Sequence, residues 1–226
     1  MCAERISYGP GEHQFVDVYP GAGPPVVLLH GGFWRSRVAL DHIAPVATDL
    51  HARGHAVVNV EYRRVGQGDW PATLEDVEAA LRTVDAPAVV VGHSAGGHLA
   101  AWVASRVPVR GVVSLAGVLT LADAAREGIG DGAARAFVGA GPDEAPERYA
   151  LADPAALLPL GVPVRAVHAP DDDRVPFAIS RAYAETARAA GDDAVLVEVP
   201  GDHFTLVDPA HATWPTVYGQ ITDLIG

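Results

Sequence analysis

The stretch Ala88-Val89-Val90-Val91-Gly92-His93-Ser94-Ala95-Gly96-Gly97-His98-Leu99-Ala100-Ala101-Trp102-Val103-Ala104 decides the fold. It opens with a short apolar run rich in β-branched residues. It turns sharply through Gly92 to Gly96, and it closes in an Ala-rich segment that reads as helix. This is strand, tight turn, helix, with one serine at the apex. The pattern Gly-x-Ser-x-Gly has a mechanical reason in that setting. The serine is held in a strained turn that pushes its hydroxyl away from the backbone. The flanking positions must be small because strand and helix nearly touch there. The start of the helix aims free N–H groups and its positive dipole end at the same point. Ser94 is therefore the candidate nucleophile.

Outward from this stretch, strands alternate with helices. Gln14–Tyr19 alternates apolar and polar residues, as in a half-buried strand near a sheet edge. Pro20–Pro25 reads as a turn-rich connector. Val26–Leu29 is a continuous apolar run and reads as a central strand. Leu40–Arg53 has helical spacing, Ala56–Val60 is a strand, and Thr73–Val84 is an amphipathic helix. Beyond the serine come a strand at Gly111–Leu115, a strand at Val162–Val167 and a helix at Phe177–Ala190. A strand at Ala194–Val199 and a closing helix at Thr213–Ile225 complete the pattern. The segment 117–160 carries glycines at 117, 128, 130, 132, 139 and 141 and offers short helices but no strand. It reads as a small insertion beside the active-site edge. Alternation of this kind predicts one α/β domain over residues 1–226, a mostly parallel sheet with helices on both faces. Function in such sheets gathers at the carboxyl ends of the strands. His30, Ser94, Asp172 and His203 all stand just past a strand.

Composition narrows the function. The chain has 226 residues, 49 % of them hydrophobic and 19 % charged, and a formal net charge of −12. That charge argues against a nucleic-acid partner. All cationic side chains are arginines, so Schiff-base chemistry, a Ser-Lys dyad and a P-loop lysine are excluded. Cys2 is the sole cysteine, which excludes an intrachain disulfide and disfavours a thiolate metal site; its position suggests an incidental, frayed thiol. No His-Glu-x-x-His or dense His/Asp motif is present, so no metal is expected. No signal-peptide core and no membrane-length apolar run are found, so the expected location is cytoplasmic, with no membrane partner.

A serine hydroxyl needs a base, and the base needs an orienting group. The base is expected from a histidine after the last strand. His203 fits; His211, at the approach to the closing helix, is the rival. His93 adjoins Ser94, but neighbours on a sharp elbow point apart, so it is expected to pack. His98 is expected to pack or to face solvent. The orienting acid should follow the strand that ends at His168, where Asp171, Asp172 and Asp173 stand in a row. The spacing Asp-x-x-Val-Pro selects Asp172, with Asp171 and Asp173 as alternatives. The oxyanion donors are expected from the N–H of Ala95 and from Gly31 and Gly32, where paired glycines let backbone N–H groups turn inward. Phe33 and Trp34, beside that loop, are expected either to line or support the substrate pocket or to pack in the core.

Gly92-His93-Ser94-Ala95-Gly96, the Asp172-x-x-Val-Pro turn and His203 resemble the α/β-hydrolase superfamily over nearly the whole chain. His30-Gly31-Gly32-Phe33-Trp34 is similar to the His-Gly-Gly-x-Trp motif of kynurenine formamidases and small related carboxylesterases. That resemblance implies a Ser94, Asp172, His203 triad without cofactor, an oxyanion loop at Gly31 and Gly32, and a small ester or aryl formamide as substrate. The family usually has glycine after the histidine that precedes the acid; here it is Ala169. The same triad could serve acyl transfer, and a hydrolase fold could bind a small ligand without turning it over. Oligomeric state and physiological substrate are not readable from the sequence.

Overall fold

The computed structural model describes residues 3–226, so the Cys2 thiol lies outside the described residues. Its frame is an eight-stranded sheet built from β1 (Glu4–Ser7), β2 (Phe15–Tyr19), β3 (Ala22–Leu29), β4 (His55–Val60), β5 (Val89–His93), β6 (Gly111–Leu115), β7 (Val164–His168) and β8 (Ala194–Glu198). The spatial order is β1-β2-β4-β3-β5-β6-β7-β8. β1 and β2 pair antiparallel, β2 pairs antiparallel with β4, and every other neighbouring pair is parallel. The helices are α1 (Ala44–Ala52), α2 (Ala72–Arg82), α3 (Ala95–Ala104), α4 (Leu121–Arg126), α5 (Ile129–Val138), α6 (Pro146–Ala152), α7 (Phe177–Ala189) and α8 (Trp214–Ile225). Among the described residues no helix is long and apolar enough to cross a membrane.

The apolar runs explain the layering. Successive side chains of a strand point to opposite faces, so a run buried on both sides feeds two cores. Val27 and Leu29 of β3 join one core with Leu74 and Val77 of α2, Leu99 of α3 and Ile179 and Tyr183 of α7. Val26 and Leu28 join the other with Val46 and Leu50 of α1 and Val217 and Ile221 of α8. Two local readings change. β3 begins at Ala22, inside the predicted connector, because Ala22 pairs with His55 before a register shift. β1 was not legible: its four residues are all exposed, so burial leaves no alternation to read.

The strand register places the site. Leu29 stands opposite Gly92, so His30-Gly31 and His93-Ser94 leave the sheet side by side. β6 and β7 end at the same edge. Segment 117–160 forms α4 to α6 and a short 3-10 turn at Pro154–Leu157, with no strand. It touches the loop after β3: the Arg35 guanidinium donates to the Gly130 carbonyl at 2.6 Å.

His98, on α3, turns inward under this insertion. It is fully buried, its Nε2–H donates to the Ala152 carbonyl at 2.8 Å, and Trp34 and Phe137 meet its ring edge-on. Burial pushes its pKa down to about 4 from 6.5, against the opposing effect of the Ala152 bond. The unfolded chain therefore takes up a proton first as pH falls. His98 contributes stability that is complete above about pH 6.5 and is lost toward pH 4, about 3 kcal/mol in all. Urea unfolding at pH 7 and pH 4.5 should show this loss, and His98→Gln, which keeps a donor for Ala152, should flatten it. An equal pH dependence in the variant would refute the assignment.

Candidate active site

The elbow has the strain its sequence implies. Ser94 sits at φ 56°, ψ −119°, in a region that side-chain-bearing residues rarely occupy. Its N–H donates to the Leu115 carbonyl at 2.8 Å, and its carbonyl receives the N–H of Gly97 at 2.9 Å. The turn closes only over small residues: a Cβ on Gly92 would strike the backbone of Gly96, and one on Gly96 would strike the Leu29 carbonyl. Ala95 is the first residue of α3, so its N–H is one of the donors a helix start leaves unpaired.

The loop after β3 lies against the elbow. A Cβ on Gly31 would stand 3.1 Å from Ser94 Cβ, and Gly32 takes φ 106°. Phe33 and Trp34 follow with φ 54° and 55°. Beneath them, His30 stacks on Tyr62 with centroids 4.2 Å apart, and the Tyr62 hydroxyl donates to the His30 carbonyl at 2.6 Å. Glu61 accepts the Leu40 N–H at 2.9 Å and pairs with Arg64. Burial opposes its ionisation, but His30, the Leu40 N–H and Arg64 together hold its carboxyl below the ordinary range. This buried polar platform fixes the loop from below.

Of the three aspartates, Asp172 alone faces His203. Its Oδ2 accepts His203 Nδ1–H at 2.6 Å and lies 3.1 Å from His168 Nε2. Its Oδ1 accepts the N–H groups of Arg174 at 2.8 Å and Val175 at 2.9 Å. Burial acts against the charge, yet the hydrogen bonds from His168 and His203 and from the Val175 N–H hold the carboxyl well below the usual carboxylate value. Asp171 and Asp173 are exposed. His211, the rival base, accepts the Thr213 N–H at 3.2 Å ahead of α8.

Two histidines that the sequence left without a positioning role belong to this arrangement. His168 Nε2 faces two acceptors, Asp172 Oδ2 and the Val175 carbonyl at 3.0 Å, so it carries the proton, and Nδ1 receives the Ser180 hydroxyl at 2.7 Å. His93 is buried. Its Nε2 lies 2.8 Å from the His203 carbonyl, which can only accept, so His93 donates there. Its Nδ1 must then accept, and His42 Nε2–H supplies the donor at 3.0 Å. Burial, with His203 and His42 nearby, keeps the His93 pKa well below the ordinary value, so the ring stays neutral. His93 thus ties the backbone of the His203 loop to the elbow. No spacing rule announces a side-chain bond to a carbonyl 110 residues away.

Gly32, Phe33, Ser94 and His203 border one hollow of about 220 Å³, with Val38 and Phe204 among its apolar walls. Of the two outcomes open for Trp34, core packing is the one found: it does not line the hollow. It is 1 % exposed and stacks on Phe137 at 4.6 Å, because its backbone turn sends the ring down onto α3 and α5. Among the described residues the Ser94 hydroxyl and His203 share the hollow without a hydrogen bond between them. Such bonds are often long before substrate binds. No three His, Cys, Asp or Glu side chains among the described residues converge to hold a metal ion. Chemically, the arrangement offers a hydroxyl and an imidazole in one hollow, at the start of α3.

Comparison with known proteins places this geometry in a family. The BD-FAE family model matches residues 18–186. Kynurenine formamidase from Danio rerio is 32 % identical over 111 residues, 44 % of this chain and 38 % of that protein. Carboxylesterase NlhH from Mycobacterium tuberculosis is 41 % identical over 93 residues, 36 % of this chain and 28 % of that protein. The alignments thus span less than two fifths of these curated relatives. Among solved structures, a truncated carbohydrate esterase from gut microbiota superposes with TM-score 0.85 at 19 % identity, over 98 % of this chain and 95 % of that one. Esterase B from Lactobacillus rhamnosis gives 0.78 at 19 %, over 98 % and 82 %. With its eight-stranded, mostly parallel sheet and its match over residues 18–186, the chain belongs to the BD-FAE family and has the α/β-hydrolase fold.

Proposed function

We propose that this chain is a serine hydrolase that cleaves small esters or aryl formamides through an acyl-enzyme. One observation carries the reading: the buried Asp172 carboxylate holds His203 Nδ1–H at 2.6 Å, beside a serine strained at an elbow in the same hollow. With its proton fixed on Nδ1, a neutral His203 presents the lone pair of Nε2. Ser94 Oγ attacks the substrate carbonyl while Nε2 takes its proton. The negative charge on the former carbonyl oxygen is met by backbone N–H groups of Gly31, Gly32 and Ala95, each worth roughly 3 kcal/mol. Collapse of this intermediate breaks the bond to the alcohol or amine, which leaves with the proton from Nε2. Water then attacks the Ser94 ester, Nε2 takes the water proton, and the acid departs as Ser94 regains its hydrogen.

The names of the relatives, a formamidase and a carboxylesterase, support the substrate class. The hollow supports small acyl groups: about 220 Å³ is below the roughly 300–1,000 Å³ of typical ligand pockets. The test is kcat/KM for N-formylkynurenine, phenyl acetate, phenyl butyrate and phenyl decanoate under one condition. A fall of at least about tenfold from butyrate to decanoate is expected. Ester cleavage without formamide cleavage would reduce the reading to a small-ester carboxylesterase. A preference for decanoate would refute the small site.

A further inference from the structure

The hollow at Ser94 carries a charge opposite to that of the chain. Of 226 residues with a net charge of −12, two arginines, Arg37 and Arg174, reach this hollow, and no Asp or Glu lines it. The acids nearest in sequence are engaged elsewhere. Asp41, beside His42, lines a different hollow with Arg5 and Glu61. The Asp202 carboxylate accepts the Phe204 and Thr205 N–H groups at 2.9 and 3.1 Å. Asp172 spends both oxygens on four internal donors. Arg37 makes no ion pair among the described residues, whereas the partner of Arg174 is Asp173, at 3.3 Å with both side chains more than half exposed. So exposed a pair costs little to exchange.

The two guanidinium groups come from opposite directions. Arg37 follows the loop after β3, on one side of the Ser94 strand, and Arg174 belongs to the loop after β7, on the other. Arg174 has a fixed base, since its own N–H is bound to Asp172. Asp172 in turn holds His203, and Phe204, 49 % exposed, meets the His203 ring edge-on at 5.2 Å. His203 is the group that gives its proton to the departing alcohol or amine. The leaving group therefore lies beside His203 and Phe204, in the hollow that Arg37 and Arg174 both line.

We propose that Arg37 and Arg174 form an anion subsite that selects substrates whose leaving group is aromatic and bears a carboxylate. This rests on the serine-hydrolase reading and adds a substrate class to it. The flat ring lies on Phe204, and the carboxylate meets guanidinium groups that stay charged at every working pH. Two partly exposed ion pairs together are worth about tenfold in affinity.

The test uses three acetates with one acyl group: 3-acetoxybenzoate, its methyl ester, and 3-acetoxy-N,N,N-trimethylanilinium. Each kcat/KM is divided by the rate of hydroxide-catalysed hydrolysis. The order anion, neutral, cation is expected, with the anion ahead of the neutral ester by about tenfold. The ratio should shrink in high salt and fall to about one in the R37Q/R174Q double variant. A charge-blind or reversed order in the wild type, or a preference that survives both substitutions, overturns the proposal. Calorimetry on Ser94→Ala gives a second reading that does not need turnover. There 3-hydroxybenzoate should bind about tenfold tighter than its methyl ester, and equal binding overturns the subsite. The two hypotheses fail separately: hydrolysis that persists in Ser94→Ala refutes the serine mechanism, whereas Ser94-dependent but charge-blind hydrolysis refutes only the subsite.

Discussion

Ser94→Ala is expected to give a folded protein that neither hydrolyses phenyl acetate above background nor takes up a fluorophosphonate label. The fold should survive because nothing in the elbow depends on the hydroxyl. The turn is held by the Ser94 N–H on Leu115, by the Ser94 carbonyl and by the tight passage of Gly92 and Gly96. The loss should be very large. Removing the nucleophile of a serine-hydrolase triad costs about a millionfold in kcat in the subtilisin template. Ser94→Gly provides a control on strain. At φ 56° a glycine relieves backbone crowding, so this variant should be equally inactive and no less stable. Thermal unfolding, labelling and single-substrate kinetics on the two variants decide the matter. Retention of most activity in either would remove Ser94 from the chemistry.

The second large effect should separate three adjacent aspartates. Asp172→Asn is expected to lower kcat by about 10⁴, as in the triad template where the histidine adopts the wrong tautomer. The reason lies in the four donors around this carboxylate. Oδ1 faces two backbone N–H groups, and Oδ2 faces the N–H groups of His168 and His203. An amide has one accepting end. If its NH₂ group faces His203, Nδ1 of His203 must accept, the proton moves to Nε2, and that nitrogen can no longer receive the Ser94 proton. If it faces the loop, Arg174 and Val175 lose their acceptor. Asp171→Asn and Asp173→Asn alter exposed side chains and should stay near wild type on a neutral ester. The measurement is kcat for the three purified variants on phenyl acetate. A large loss at Asp173 with none at Asp172 would transfer the acid to the neighbouring position.

His93 and Trp34 show where sequence reasoning stops. The elbow argument turns His93 away from the role of base, and both of its ring nitrogens are engaged elsewhere, by His42 and by the His203 carbonyl. What it binds instead, a carbonyl in the loop after β8, depends on how two distant loops meet. Trp34 sits next to an oxyanion-type motif, and adjacency leaves a pocket wall and core packing equally open. Its φ of 55° reverses the chain, however, and the indole is buried against Phe137. A one-residue change of direction is invisible in a pattern read along the chain.

The sequence by itself determined the alternation of strands and helices, the strained elbow and the carboxyl edge at which the chemical residues gather. Those features are local: apolar runs record burial, small residues record close approach, and both are set within a few positions. Tertiary structure alone decided that Asp172, which the Asp-x-x-Val-Pro spacing had already singled out, meets His203, what His168, His93 and Glu61 bind, and that Arg37 and Arg174 line one hollow. Asp172 and His203 are 31 residues apart, and His93 and the His203 carbonyl 110. A hydrogen bond is satisfied within about 3 Å in space, whatever the separation along the chain, so only the packed sheet and its loops could select these partners.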